Sequence, residues 1–275
     1  MITRSILDQN QLYLLNIKNP YEEIIISPVF MWEFFNNINT NIESLLIRKI
    51  QEISNQIFIT FKSITCEKLE IAVGHTLLFD EIVDHQNTNT IRQWLKSKTP
   101  SISQVRDIFS PNFTNTSLDR LKTHAETSWV PLLKEGFNKL LPKDRPLIRD
   151  NFKDISEETT RKLCYESIQV CFKILKDKKY SEEQANKFLK EPTILYNRAF
   201  CHFCLYLYRS TQTSFKDIAN DNKDIELLFC AHHVDKLISN ERFMKYTFSH
   251  LKESHKLLIN LEEILKSVDV QFKSS

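Results

Sequence analysis

Short hydrophobic runs alternate along this chain with longer segments in which hydrophobic residues recur at helical spacing. Residues 5–8 form a short apolar run that ends in Asp8, and residues 23–27 are β-branched and continuous. A continuous run of this kind is typical of a central parallel strand covered on both faces. Ser27 and Pro28 then predict a helix start, with serine as the N-cap and proline at the first helical position.

The next part of the chain continues this alternation. Residues 42–53 carry hydrophobic side chains on one helical face, and residues 56–61 alternate weakly, as in a strand. Helical spacing returns over residues 66–84. Residues 85–90 are polar and predict a loop, which a short helix around Trp94 follows.

The remainder is predominantly helical in pattern. Residues 100–200 predict helices separated by polar or proline-containing turns, and among them residues 195–208 predict a buried helix. Residues 221–243 predict an acidic helix start, an apolar helix, a brief strand and an acidic turn. A helix or helix pair over 243–267 and an edge strand at 268–272 complete the predicted elements.

These elements predict an α/β fold in which a helical region interrupts a parallel sheet. We expect residues 1–65 and 195–275 to form the α/β core. Residues 66–194 would form a helical insertion or lid without a site of its own.

Composition narrows the class of protein. The 275 residues are 41% hydrophobic and 11% aromatic, which allows a substantial core and argues against a disordered chain. Only 2 glycines occur, so glycine-rich phosphate loops such as the P-loop and the dinucleotide fingerprint are excluded. The formal net charge of +2 gives no bulk electrostatic argument for nucleic-acid binding, so any basic binding surface has to be local.

The N-terminus predicts a protein without a secretory leader, because Asp8 breaks its short apolar stretch. No uninterrupted apolar run approaches the length of a membrane span. The six cysteines lie mostly in apolar, helix-like runs. We therefore expect a reduced, cytoplasmic protein that does not enter a membrane.

Carboxylates recur where predicted strands end and where neighbouring helices begin. If the sheet is parallel, these positions converge at its carboxyl edge. Carboxylates brought close together repel one another and are best tolerated around a divalent cation, and Mg²⁺ or Mn²⁺ suits oxygen ligands. Such a site can activate a water for phosphodiester hydrolysis. The acids are Asp8 after the first strand, Glu33 on the helix after the second, Asp221 and Asp224 before the third, and Glu241 after it.

This order of acids resembles that of PIN-domain nucleases, which have an acid after the first strand, an acid in the following helix and two more near the C-terminus. Glu241 departs from the pattern, because the family more often has aspartate there. The resemblance implies a PIN-like three-layer α/β/α fold with a short, mainly parallel sheet and a large helical insertion. It covers about the first 35 and the last 60 residues. The segments that carry it are Ile6–Asn10, Ser27–Glu33, Asp224–Ala231 and Leu237–Phe243.

The resemblance also implies an activity and a set of roles. The activity is that of a metal-dependent endoribonuclease, which hydrolyses phosphodiesters with a metal-activated water and forms no covalent intermediate. RNA, or another single-stranded nucleic acid, is the expected partner, and a homodimer or a protein partner is left open. The implied catalytic metal ligands are Asp8, Glu33, Asp224 and Glu241, with Asp221 as a further ligand and Asn10 and Ser239 as site-ordering residues.

Structural roles compete with these catalytic ones. Asp221 could cap a helix, and Asp224 could lie in its first turn, where an acid is favourable against the helix dipole. Glu33 could point to solvent, and Glu241 could form an ion pair on a surface turn. Asp8 is the hardest to explain structurally, because burying a carboxylate at a strand end is costly. The alternative function is a non-catalytic PIN-like α/β-helical module that binds protein or RNA.

Basic residues cluster twice within the predicted insertion. Most such clusters are solvated faces, but beside an acidic pocket they could hold the phosphate backbone of RNA. The residues concerned are Lys139, Lys143, Arg145, Arg149, Lys176, Lys178 and Lys179.

Cys201, His202 and Cys204 have side chains of the types that bind zinc. They lie inside a predicted aromatic helix and lack two Cys-x-x-Cys pairs. Buried cysteines of the core are therefore the favoured interpretation, and a zinc site is the alternative.

Overall fold

Parallel strand pairing organises the part of the chain that the computed structural model describes, which is residues 2–8, 11–12, 20–36, 47–97, 191–210 and 224–258. Four strands form one sheet: β1 (Thr3–Leu7), β2 (Glu22–Ile26), β3 (Ile57–Ile59) and β4 (Lys236–Ile238). Their order across the sheet is β3-β2-β1-β4, and every neighbouring pair is parallel. The predicted α/β class with a parallel sheet is confirmed.

Helices occupy most of the other described residues. They are α1 (Pro28–Asn36), α2 (residues 47–52), α3 (Ser63–Val73), α4 (Phe79–Ile82), α5 (His85–Lys96), α6 (Ile194–Ser210), α7 (residues 224–228) and α8 (Arg242–Leu258), with a 3-10 helix at Ala231–His233. Within the described ranges, none of the helices has the length and apolar character needed to cross a membrane. Residues 98–190 and the predicted edge strand at 268–272 lie outside the description, so the division into core and insertion stays a prediction.

The two central strands of the sheet, β1 and β2, are buried on both faces at their carboxyl ends. Successive strand residues point to opposite faces, and Ile24, Ile25 and Ile26 of β2 are each at most 1% exposed. Ile6 and Leu7 of β1 are equally buried. Burial on both sides explains why these strands are unbroken aliphatic runs rather than alternating ones.

Helix α1 begins as the sequence predicts. Ser27 Oγ accepts a hydrogen bond from the backbone N–H of Phe30 at 3.2 Å, which is the geometry of an N-cap, and Pro28 is the first helical residue. Because β2 ends at Ile26, the chain passes from strand to helix within one residue. The N-terminus of α1 therefore lies at the carboxyl edge of the sheet.

The prediction of a loop over residues 85–90 is wrong, because α5 begins at His85. Asp84 caps this helix: its Oδ1 accepts from the backbone N–H of Asn87 at 2.9 Å. The polar residues at the start of α5 therefore belong to a helix and not to a loop.

The polar side chains of α5 cover the outer edge of β3. Thr88 Oγ1 accepts from the backbone N–H of Ile59 at 3.0 Å, and Arg92 Nε donates to the carbonyl of Ile57 at 3.0 Å. An edge strand presents backbone groups that need partners, and α5 supplies them from its side chains. Thr88 and Arg92 are therefore polar because they face the backbone of the edge strand β3.

The helical segment predicted over residues 66–84 is interrupted at Gly74. Gly74 has a φ of 73°, in the left-handed region that glycine adopts without strain, and its N–H bonds the carbonyl of Glu70. The segment is consequently divided into α3 and α4.

Candidate active site

The carboxyl edge of the sheet brings Asp8 and Ser239 together. Leu7 and Ile238 are paired in register at the ends of β1 and β4, so the residues that follow them are neighbours. Ser239 Oγ donates a hydrogen bond to Asp8 Oδ2 at 2.8 Å, across 231 residues of sequence. Both residues are only 5% exposed. Ser239 therefore holds the Asp8 carboxylate in a defined orientation.

Glu241 is tied to the same hydroxyl. Its backbone N–H donates to Ser239 Oγ at 3.0 Å. A serine hydroxyl has one proton to donate and lone pairs to accept with, so it can serve both neighbours at once. The Glu241 side chain is exposed, and its carbonyl accepts from the N–H of Lys245 at 3.1 Å, where α8 begins. Asp8, Ser239 and Glu241 thus form one connected group.

The described part of the predicted acidic helix start begins at Asp224. Asp224 is the first described residue of α7 and is half-buried. Two residues later, the Glu226 carboxylate accepts from the Ser63 backbone N–H at 3.1 Å and from Ser63 Oγ. Ser63 begins α3, shortly after β3 ends, so α7 contacts the carboxyl side of the sheet beyond β3.

Glu226 is not among the site residues that the sequence predicts. In the local sequence, Asp224 and Glu226 are two acids at a predicted helix start. That pattern gives no sign that Glu226 contacts another part of the chain. The contact with Ser63 joins residues 163 positions apart and is decided by the tertiary structure.

The metal site itself stays a prediction. Among the described residues, no group of three or more His, Cys, Asp or Glu side chains is arranged to hold a metal. Glu33 lies on α1, and its side chain is outside the description, as are Asn10, Asp221 and the seven basic residues between positions 139 and 179. The Asp8 carboxylate and Ser239 hydroxyl are hard oxygen donors, which fit Mg²⁺ or Mn²⁺.

The cysteines of α6 lie in the core. Cys201 and Cys204 are fully buried, whereas the His202 side chain falls outside the description. Burial, with a smaller effect of the Cys230 thiol, raises the pKa of Cys201 well above its ordinary value. Zinc binds the thiolate form, so this environment favours the interpretation as core cysteines.

A second polar group, which sequence analysis also misses, is buried between α3 and α6. Glu67 Oε2 and Arg198 Nη1 form an ion pair at 2.8 Å, with side chains 4% and 8% exposed. The Glu70 carboxylate accepts from the backbone N–H groups of Ile194 at 3.0 Å and Leu195 at 3.4 Å. Burial raises the pKa of Glu70 to about 7, against the opposing effect of the amide hydrogen bonds.

The sequence does contain a trace of this second group. Buried residues of α3 recur at helical spacing, but they are Ser63, Cys66, Glu67 and Glu70. A polar stripe on a helix ordinarily indicates a solvated face. Only the position of α6 shows that this stripe faces inward.

Three histidines form a third polar group, between α6, the 3-10 helix and α8. Asn197 Nδ2 donates to the carbonyl of Phe229 at 2.7 Å and lies 2.6 Å from His232 Nδ1. Asn197 Oδ1 lies 2.7 Å from His255 Nε2. Because the Phe229 carbonyl can only accept, it sets the amide orientation: His232 Nδ1 accepts and His255 Nε2 donates.

The histidine cluster, which we define as His232, His233 and His255, is held in the neutral form. The rings of His232 and His233 are 3.9 Å apart, and those of His232 and His255 are 6.0 Å apart. Burial lowers the pKa of His233 to about 4 and that of His255 to about 3, and it lowers the pKa of His232 well below its ordinary value. Lys252 adds a positive charge that lowers all three.

Comparison of the chain with protein-family models, with curated proteins and with solved structures found no match. The fold defines an α/β protein with a four-stranded parallel sheet among its described residues. Any more specific assignment depends on the chemistry of the site.

Proposed function

We propose that the protein is a metal-dependent PIN-like endonuclease that hydrolyses RNA. The observation that carries the proposal is the buried Asp8 carboxylate, which ends a central parallel strand and is oriented by Ser239 from the neighbouring strand. Ligand sites of parallel sheets lie at this carboxyl edge.

The burial of Asp8 supports a functional role. A carboxylate that is 5% exposed loses most of its hydration, which costs free energy unless its partners offset the loss. A divalent cation at this edge would stabilise the charged form. The exposed Glu241 carboxylate follows Ser239 by two residues, so it can approach such a cation from the solvent side.

The remaining ligands would come from Glu33 on α1 and Asp224 on α7, with Asp221 nearby. A bound Mg²⁺ or Mn²⁺ would supply an activated water and neutralise charge at the phosphate. The protein's own residues would hold the ion, orient Asp8 through Ser239, and bind the RNA backbone through the basic residues of the predicted insertion.

RNA cleavage in Mn²⁺ or Mg²⁺ tests the proposal. We expect cleavage by the native protein, its loss in Asp8→Asn, and a decrease of about 10- to 100-fold in Ser239→Ala, because an orienting partner is removed. Asp235→Asn is the matched control: this exposed aspartate lies where β4 begins, and its carboxylate accepts from the Arg4 N–H at 2.9 Å. Its activity should equal that of the native protein.

Two results would contradict the proposal. One is equal loss of activity in Asp8→Asn and Asp235→Asn, which would mean that Asp8 has no role that an aspartate outside the proposed site lacks. The other is the absence of metal-dependent cleavage by the folded native protein on both single-stranded and structured RNAs. Binding of labelled RNA without cleavage would then favour the non-catalytic module.

A further inference from the structure

Helix α8 packs on the core with apolar side chains such as Met244 and Leu251, and it adds polar contacts at the histidine cluster. His255 donates from Nε2 to Asn197 of α6 at 2.7 Å. Lys252 Nζ donates to the carbonyls of Val234 at 2.6 Å and Ala231 at 3.3 Å, at the end of the 3-10 helix. The His255 ring also packs near that of Tyr196, with centroids 6.2 Å apart.

The proton positions in the cluster leave little room for additional protons. His232 accepts from Asn197 at Nδ1, so a proton added there would face an N–H group and break that hydrogen bond. The hydrogen bond of His233 with the backbone of Leu77 favours its charged form, but burial has the larger effect and lowers its pKa. Among the described residues, the buried Nε2 atoms of His232 and His233 have no hydrogen-bond partner. In a charged His232 or His233 ring, the N–H group at Nε2 would consequently lack an acceptor within the described part of the chain.

The charges that face the cluster are mostly positive. Lys252 on α8 acts on all three rings, and Arg4 on β1 acts on His233. Glu81 on α4 is the acid that favours the charged form of His233, but this effect is smaller than that of either cation. Neighbouring protonated rings would also repel one another.

We propose that the histidine cluster is an acid-sensitive latch, which keeps α8 docked on α6 and the 3-10 helix at neutral pH and releases it on acidification. Opening would expose the three rings to water, where each accepts a proton. Acid therefore favours the open form by binding to it. Helix α8 begins directly after Glu241, so the latch adjoins the proposed nuclease site at the carboxyl edge of the sheet.

The structure sets the expected size of the effect. Each ring is neutral while docked and titrates at its ordinary pKa of 6.5 once exposed. At pH 5.5 each exposed ring multiplies the opening constant by about 11, so three rings increase it about a thousandfold relative to pH 7.5. His250 lies on α8 outside the cluster and bonds the carbonyl of Tyr246 on the same helix. Burial lowers its pKa as well, so it adds to this figure wherever opening exposes its ring.

Hydrogen exchange of the full chain measures the opening. Backbone protection factors of α8 would be compared between pH 7.5 and pH 5.5, after correction for the intrinsic exchange rate, with those of α5 as an internal reference. We expect α8 to lose protection about a thousandfold and α5 to lose much less. His232→Gln and His255→Gln should each reduce the loss about tenfold. His75→Gln, at an exposed histidine, should leave it unchanged.

The latch is supported if α8 of the native protein loses protection more than about a hundredfold between pH 7.5 and pH 5.5 while α5 does not. Each substitution in the cluster must also reduce that loss. A smaller loss, a loss that the substitutions leave unchanged, or a parallel loss in α5 overturns it. If a substituted chain fails to fold, the size of the native loss and its restriction to α8 decide the matter alone.

Discussion

Replacing Glu70 with glutamine tests how a buried carboxylate at a helix start determines the pH dependence of stability. Glu70 is 1% exposed and accepts the first backbone N–H groups of α6. Burial favours its neutral form, the α6 amides favour its ionised form, and Glu67 nearby again favours the neutral one. The balance lies with burial, since the pKa is raised from 4.5 to about 7.

The sign of the effect follows from the folded pKa lying above the unfolded one. The contribution of Glu70 to stability is complete below pH 4.5 and is lost as the pH rises through 7. The shift corresponds to about 3 kcal/mol, of which about 2.5 kcal/mol is lost between pH 5 and pH 8. Glutamine does not titrate. The free energy of unfolding of the native protein, minus that of Glu70→Gln, should therefore fall by about 2.5 kcal/mol over this range.

Urea unfolding at pH 5, 6, 7 and 8 measures this difference. The buried histidines contribute equally to both proteins and cancel. Glu191→Gln is the control, because this exposed carboxylate accepts only a surface hydrogen bond, at 2.9 Å from Thr76 Oγ1, among the contacts described for it. Its difference from the native protein should not change with pH.

A difference for Glu70→Gln that stays constant or increases from pH 5 to pH 8 would refute the reasoning. It would mean that the amides of α6 stabilise the ionised carboxylate more strongly than burial destabilises it. The backbone N–H groups at the start of α6 would then favour a bound anion, whereas the structure indicates that burial favours a neutral carboxyl group there.

Two further substitutions test the buried ion pair and a helix cap. Arg198→Met removes the cation 2.8 Å from Glu67 and should lower the free energy of unfolding by about 3–5 kcal/mol. Adding Glu67→Gln to this variant should restore most of the lost stability, because no buried charge is then left unpaired. Urea unfolding of the single and the double variant measures both effects. Asp84→Ala removes the N-cap of α5 and should cost about 1 kcal/mol in thermal unfolding. The exposed Asp80→Ala is its control and should change stability by less than about 0.5 kcal/mol.

Local pattern was sufficient where an element depends on its own residues. The aliphatic run of β2 and the Ser27 cap of α1 follow from burial on two faces and from one hydrogen bond three residues away. The same reasoning fails at the start of α5, where the polar run over residues 85–90 predicts a loop. Its Thr88 and Arg92 instead satisfy the backbone of β3, about 30 residues away in sequence.

Some features of the candidate site can be predicted from the sequence, and others depend on how the helices pack. Chain order predicts that Asp8 and Glu241 lie at one edge of the sheet, because parallel strands share their carboxyl ends. The role of Ser239 is implied only by the resemblance to PIN-domain nucleases. The contact of Glu226 with Ser63 has no such signal, since it depends on where α7 packs.

By itself, the sequence determined the strands of the described sheet, the starts of α1, α6 and α8, and the polarity of the sheet edge, because these depend on residues within a few positions of one another. The tertiary structure alone decided which polar side chains are buried together. Glu67 meets Arg198 across 131 residues, and His255 meets Asn197 across 58. Whether a charge is solvated or paired depends on what packs against it, and that is a property of the assembled layers rather than of any segment.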